Sequence, residues 1–344
     1  MARMYFEDDS NLAHLAGQNI CIVGYGNQGR AQALNMRDSG LSVIVGSRRD
    51  ASYRTAVEDG FAVFPVGEAV QCSNVIFLLV PDEVMPQVYE RDVAPNLEPG
   101  DMLVFASGYN ITFDLITPTS DVDVVLIAPR MIGAGVRDYL SGEGFPSLVA
   151  VHHSATETAF ERMLALCEGI GSARMGVIES SFLEETTVDL FAEQVGFLYA
   201  VRRYCEVLVE AGCSPEAAML EFYASGEGIE TARAYRDIGL WDQITLHSRT
   251  SQYGQEVTSR LPPREEEAER ARLRAIISHT QDGSFAREWT AEQQAGFPEF
   301  NRVRALNMVH EMREAERELY RVLGRIPGVQ PPRGGRSGFV TRPA

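Results

Sequence analysis

The sequence has no lysine: all 31 of its basic residues are arginine, set against 48 acidic ones. An enzyme that forms a Schiff base through its own lysine is therefore excluded. So is a P-loop or kinase-type nucleotide site, each of which needs a lysine on the phosphates. Biased codon usage also yields lysine-poor chains, so this absence excludes chemistries without choosing one. Cysteine is scarce too. The five present (Cys21, Cys72, Cys167, Cys205 and Cys213) are scattered and form no C-x-x-C pair, which argues against a disulfide framework or a zinc site. No apolar run approaches the length of a membrane span. The opening MARMYFEDDSNLAHLAG is too acidic for a signal peptide. A net charge of −17 disfavours nucleic acid and anionic membranes as partners, leaving a cytoplasmic protein that acts on a small molecule as the expectation.

What is present is ample apolar material: 45% hydrophobic residues in a chain of 344, enough for two domains or three. The first half alternates short apolar runs with helical stretches such as Gln28–Ser39 and Ser52–Asp59. The runs are Ile20–Val23, Ser42–Val45, Val75–Val80, Met102–Phe105, Val122–Ile127 and Leu148–Val151. Strands apolar on both faces belong in a parallel sheet covered by helices, which predicts a Rossmann-type doubly wound α/β domain over residues 1–181. From Glu184 to Ala211 the pattern is helical without interruption. Charged amphipathic helix then continues to Leu323, with breaks at Ala211-Gly212, Ser225–Gly228, Leu261–Pro263 and Gly296–Pro298. An all-helical domain over 182–326 and a loose tail over 327–344 complete the expected organisation.

The first strand runs into Gly24-Tyr25-Gly26-Asn27-Gln28-Gly29 and then into a helix. A glycine fingerprint alone is weak, but in this strand–turn–helix setting it predicts a dinucleotide site. Gly24 makes the tight turn, Gly26 admits the pyrophosphate and Gly29 lets helix and strand approach closely. At the end of the second strand an NAD enzyme would carry an acid for the ribose hydroxyls. Here the segment reads Gly46-Ser47-Arg48-Arg49-Asp50-Ala51-Ser52. Arg48, Arg49 and Ser52 suit a 2′-phosphate, so NADP is the expected cofactor. A solvated loop in an arginine-rich chain is the competing reading.

The run Ile22–Asn35 followed by Arg37–Gly40 closely resembles the opening of ketol-acid reductoisomerase. The likeness continues through Leu78–Glu83, Ala128-Pro129, Gly176–Glu179, Thr187–Gln194 and Tyr253-Gly254, covering essentially residues 1–326. The resemblance is to the short form of that family. It implies a knotted helical domain, a homodimer whose active site is completed across the interface, and migration of an alkyl group followed by reduction with NADPH. It adds Pro81, Asp82 and Gly133 to the cofactor-binding set. It also implies two magnesium ions, with Asp189, Glu193 and Glu221 as matching ligands. Asp189 and Glu193 are four apart and share a helix face, although acids in the first turns of a helix also favour its dipole without any metal.

Three segments depart from the family pattern. Ser107 stands where the family has a histidine important for catalysis. The next loop, Arg130–Ala134, has Arg130 for a lysine and Ala134 for a second histidine. The fourth metal ligand aligns as Ser225 counting forward from Glu221, or as Glu227 counting backward from Tyr253-Gly254, and glycines beside Glu227 predict a distorted helix. By the backward route Ser248 matches a substrate-binding serine. In a chain without lysine Arg130 is weak evidence of divergence, but six histidines remain, so composition does not account for Ser107 and Ala134. The expected function is NADPH-dependent reduction of a C=O or C=N substrate with alkyl migration impaired. A working reductoisomerase and a non-catalytic NADP-binding dimer are the alternatives.

Overall fold

The computed structural model describes residues 2–138, 140 and 144–325; the expected tail at 327–344 lies outside them. The described residues fall into two compact units, one within 1–192 together with 279–287, the other of 193–278 together with 288–325.

The first unit is built on a nine-stranded sheet. Its strands are β1 (Met4–Tyr5), β2 (Asn19–Val23), β3 (Ser42–Gly46), β4 (Val63–Phe64), β5 (Val75–Leu78), β6 (Met102–Phe105), β7 (Asp123–Pro129), β8 (Ser147–His153) and β9 (Val177–Glu179), in the spatial order β1-β9-β8-β7-β6-β5-β2-β3-β4. All six strands expected from the sequence are present. The three that the apolar pattern did not reveal, β1, β4 and β9, have only two or three residues each. The sheet is not wholly parallel: β8 runs antiparallel to β7, and β1 antiparallel to β9.

Alternation along each strand explains why both faces are apolar. Ile20, Ile22, Val75, Phe77, Met102 and Val104 point into one buried cluster, while Cys21, Val23, Ile76, Leu78, Leu103 and Phe105 point into the other. Each face is covered by helices, as a doubly wound sheet requires. Because β3, β2, β5, β6 and β7 are mutually parallel, their C-terminal ends open onto one edge. The chain leaves β2 for β3 on one side and reaches β5 on the other, so this edge holds a topological switch point, where such sheets bind ligands.

The second unit is helical. The run from 184 to 211 is two helices, Phe182–Gln194 and Phe197–Glu210, and not the single uninterrupted one expected. Gly196, at a φ of 84°, makes the break with a left-handed backbone that only glycine adopts readily. The distortion expected near Glu227 is present: Leu220–Ala224 forms a widened π-type turn, Ser225 is extended, and a new helix starts at Glu227. Among the described residues no helix is long and apolar enough to cross a membrane.

Candidate active site

Two groups of side chains occupy the C-terminal edge of the sheet. The first surrounds the glycine loop. Gly24 has a φ of 96°, and a Cβ there would lie 2.8 Å from the Leu79 carbonyl oxygen, so the loop is pressed against the end of β5. A Cβ on Gly29 would lie 2.1 Å from the Gly24 oxygen, so the first turn of helix Asn27–Asp38 sits directly on the loop. A Cβ on Gly26 would meet nothing within 4 Å, which leaves room over the helix N-terminus for a pyrophosphate. Gly133 abuts the Asn27 carbonyl oxygen, 2.3 Å from where its Cβ would be, and the Gln28 side-chain amide donates to the Met131 carbonyl at 2.9 Å. The glycine loop is thus clamped from both sides.

Tyr25 does not offer its side chain to a ligand. It is buried, its ring meets Phe61 edge-on, and its hydroxyl donates to Asp59 at 2.9 Å. Burial first, and then the Asp59 bond, push its pKa well above the ordinary range. Only its backbone faces the cofactor loop. One strand over, the backbone N–H of Gly24 donates to the Gly46 carbonyl at 3.1 Å, so the arginine segment emerges beside the glycine loop. Arg48 and Arg49 are both exposed there, and Arg48 has only a loose 3.9 Å pairing with Asp50. Asp50 itself caps helix Ala51–Glu58, accepting from the Tyr53 N–H at 3.2 Å. This is why an acid appears late in the segment: it serves the helix. Ser52, half-buried, lies in the first turn of that helix.

The second group stands beyond β5, β6 and β7. Asp82 follows the exposed Pro81 and is half-buried. The Ser107 hydroxyl donates to its Oδ2 over a long 3.5 Å, and the Asn110 amide donates to its Oδ1 at 3.2 Å and to its carbonyl at 3.3 Å. Burial, then the charges of Glu185 and Glu83, raise the Asp82 pKa to about 6. Helix Phe182–Gln194 closes the other side. Phe182 anchors it by packing against Phe105 and His152, and Ser181 starts it by accepting from the Glu184 N–H at 3.0 Å. Gly108 is compulsory at this contact, since a Cβ would lie 2.3 Å from the Phe182 carbonyl oxygen.

Glu185, 1% exposed, is fully committed. Its Oε2 accepts from the Gly108 N–H at 2.7 Å, and its Oε1 from Arg130 at 2.7 Å. Arg130 also reaches Asp189 Oδ1 at 3.1 Å. Burial raises the Glu185 pKa, opposed by the Gly108 hydrogen bond and Arg130. In the sequence Glu185 is one of two acids in a first helical turn. Its spacing of four from Asp189 was the available signal that both face one neighbour. Asn110 and Gly108 had no sequence signal of their own.

The expected metal ligands are not gathered here. Among the described residues no group of three or more His, Cys, Asp or Glu side chains comes together to hold an ion. Asp189 and Glu193 do lie one turn apart on a helix, but the cation facing Asp189 is the Arg130 guanidinium. Glu185 accepts one hydrogen bond at each oxygen. Within this unit the pattern leaves Asp189 and Glu185 sharing one guanidinium. Glu193 falls within the second unit, as do Glu221 in the widened turn, Glu227 at the start of its helix and Ser248. Ser248 uses its hydroxyl as a helix cap, accepting from the Ser251 N–H at 3.3 Å.

Family models match in both halves: acetohydroxy acid isomeroreductase, NADPH-binding domain, over residues 14–176, and ketol-acid reductoisomerase, C-terminal domain, over 182–324. The chain belongs to the ketol-acid reductoisomerase family. A Saccharolobus solfataricus protein provisionally named ketol-acid reductoisomerase 3 is 45% identical, covering 92% of this chain and 97% of its own. The ketol-acid reductoisomerase (NADP(+)) of Pyrobaculum arsenaticum is 40% identical, covering 94% and 99%. An NADH-preferring ketol-acid reductoisomerase from an uncultured archaeon superimposes with a TM-score of 0.86 at 32% identity, covering 94% of this chain and all of its own. A Cupriavidus necator semialdehyde dehydrogenase NAD-binding protein, with a TM-score of 0.57 at 17% identity, shares the fold alone. Within the family this chain is an NADP-dependent oxidoreductase, with an α/β cofactor domain followed by a helical one.

Proposed function

We propose that this family member uses NADPH to reduce the C=O or C=N carbon of a small substrate (a 2-oxo acid, ketone or imine) and that its alkyl-migration step is impaired. One observation carries the reading: Arg130 bridges Glu185 and Asp189, placing a fixed organic cation against Asp189, which the family pattern makes a magnesium ligand. A guanidinium donates hydrogen bonds but has no open coordination position with which to chelate a substrate's oxygens. Ser107, in place of a histidine, removes a group able to titrate near neutrality. Hydride transfer needs only a positioned cofactor, an electrophilic carbon and a proton source.

The cofactor side supports NADPH. The helix N-terminus at Gly26–Gln28 receives the pyrophosphate, and Arg48, Arg49 and Ser52 receive the 2′-phosphate. The relative that prefers NADH shows that cofactor choice varies within the family.

The test follows NADPH oxidation with 2-acetolactate, with 3-hydroxy-3-methyl-2-oxobutanoate, and with a panel of 2-oxo acids and cyclic imines, each with magnesium and with a chelator. Turnover of the second compound or of the panel, without turnover of acetolactate, is expected. Magnesium-dependent turnover of acetolactate would instead establish a working reductoisomerase. The half-exposed Asp189 side chain, and the names of relatives 38–45% identical, favour that second reading.

We also propose a homodimer. The second unit leaves Phe197, Leu198 and Trp241 73%, 68% and 82% exposed, while among the described residues its buried apolar cluster holds only Met219, Ala224 and Leu319. Apolar surface on that scale is normally covered by a partner. Sedimentation velocity at micromolar protein should give a dimer, and a monomer would reject the proposal.

A further inference from the structure

The reduction proposed above needs an acid, and the residue in the family's histidine position cannot be one. Ser107 does not titrate near neutrality, and Arg130 is taken up by Glu185 and Asp189. Glu185 has both oxygens occupied, by the Gly108 N–H and by Arg130, and Asp189 is already paired with Arg130. Tyr109, whose hydroxyl is buried without a hydrogen-bond partner, has its pKa pushed up to about 12 by burial and by the charge of Asp82. Asp82 remains. It stands at the mouth of the switch point, three residues beyond Leu79, whose carbonyl the cofactor loop touches at Gly24. It keeps part of its surface open, and two neutral side chains orient it.

We propose that Asp82 is the proton donor of the reduction step, with Ser107 and Asn110 as its positioning residues. The inference rests on the reductase reading. Hydride leaves the nicotinamide C4 of NADPH and forms a C–H bond at the substrate carbon as the C=O π bond breaks. The electron pair moves to oxygen, which takes the proton of the Asp82 carboxyl. The products are the alcohol, NADP+ and the Asp82 carboxylate, which regains a proton from water.

The charges around Asp82 favour its acid form. Glu83 flanks it in its own loop, Glu185 and Asp189 face it from helix Phe182–Gln194, and the Ser107 hydroxyl and Asn110 amide oppose them by donating to the anion. Arg130, beyond β7, is taken up by Glu185 and Asp189. A carboxylic acid held neutral by such surroundings can serve as a general acid near physiological pH.

The experiment is a kcat–pH profile at saturating NADPH for the wild type, Asp82→Asn and Ser107→Ala, with NADPH affinity measured separately by fluorescence. The wild type should lose rate as pH rises through a midpoint near the Asp82 pKa of about 6. Asp82→Asn should lose about 100-fold or more in kcat, and the separately measured NADPH affinity distinguishes a lost proton donor from a lost cofactor contact. Ser107→Ala removes one of the two side-chain donors to the carboxylate and leaves the Asn110 amide, so its midpoint should move to higher pH. A merely structural role for Ser107 would not move it. Wild-type kcat in Asp82→Asn, or an unmoved midpoint in Ser107→Ala, overturns the assignment. Should Asp82→Asn fail to fold, the Ser107→Ala midpoint decides. Failure of the wild type to turn over any carbonyl or imine would instead sink the reductase reading, and the assignment with it.

Discussion

At one end of the strand edge, the glycine loop is defined by backbone: Gly24, Gly29 and Gly133 each sit where a Cβ would strike a carbonyl oxygen. At the other end, Asp82, Ser107, Asn110, Arg130, Glu185 and Asp189 are defined by side chains and their charges. The contrast separates what main-chain packing dictates from what side chains are free to vary. A backbone cradle tolerates almost no substitution, because any side chain collides with main chain that cannot move. A side-chain cluster can exchange a lysine for an arginine, or a histidine for a serine, and still satisfy its hydrogen bonds. Arg130 does so here, meeting two carboxylates at 2.7 and 3.1 Å.

The largest effect should come from breaking the cradle. Gly29→Ala places a methyl 2.1 Å from the Gly24 oxygen. NADPH affinity measured by fluorescence titration should fall about 100-fold or more, a loss of roughly 2.7 kcal/mol. Wild-type affinity would mean that the loop yields.

The next effect lies in the cluster. Arg130→Met leaves Glu185, 1% exposed, without its cation. Breaking a fully buried pair costs about 3–5 kcal/mol, and the partial exposure of Arg130 reduces this to about 2 kcal/mol. The pKa of Glu185 is already raised, so folding favours its protonated form. A carboxyl of this kind weakens the fold as pH rises through its folded pKa. The variant's loss in Tm should therefore be larger at pH 8 than at pH 5, and equal losses would remove Arg130 as its counter-charge.

The smallest effect is one of selectivity. Arg48→Glu should weaken NADPH binding about 10- to 100-fold and leave NADH binding nearly unchanged. Equal effects on both would dismiss the 2′-phosphate site.

The cofactor end was legible in the sequence because backbone demands appear as residue types: a glycine is compulsory wherever a Cβ cannot fit. The doubly wound sheet was legible for a related reason, since strands buried on both faces are continuously apolar. The antiparallel β8 was not, because a buried strand reads the same in either direction. Nor was the break at Gly196 inside an otherwise helical pattern, since a single glycine is common within helices. The cluster was only half legible. Ser107, Arg130 and Asp189 could be named, but the pairing of Arg130 with Glu185 depends on the loop after β7 reaching a helix 55 residues away in the chain. Gly108 carries no mark of its own in the sequence, because its need for a missing Cβ comes from the Phe182 carbonyl that the fold brings against it.

The ratio of two rates tests the central claim most directly: NADPH oxidation with 3-hydroxy-3-methyl-2-oxobutanoate against that with 2-acetolactate, both with saturating magnesium. A chain that reduces but does not migrate should turn over the first and leave the second at background. Comparable rates on both would contradict the account and show that Arg130 gives way to the metal in the working enzyme.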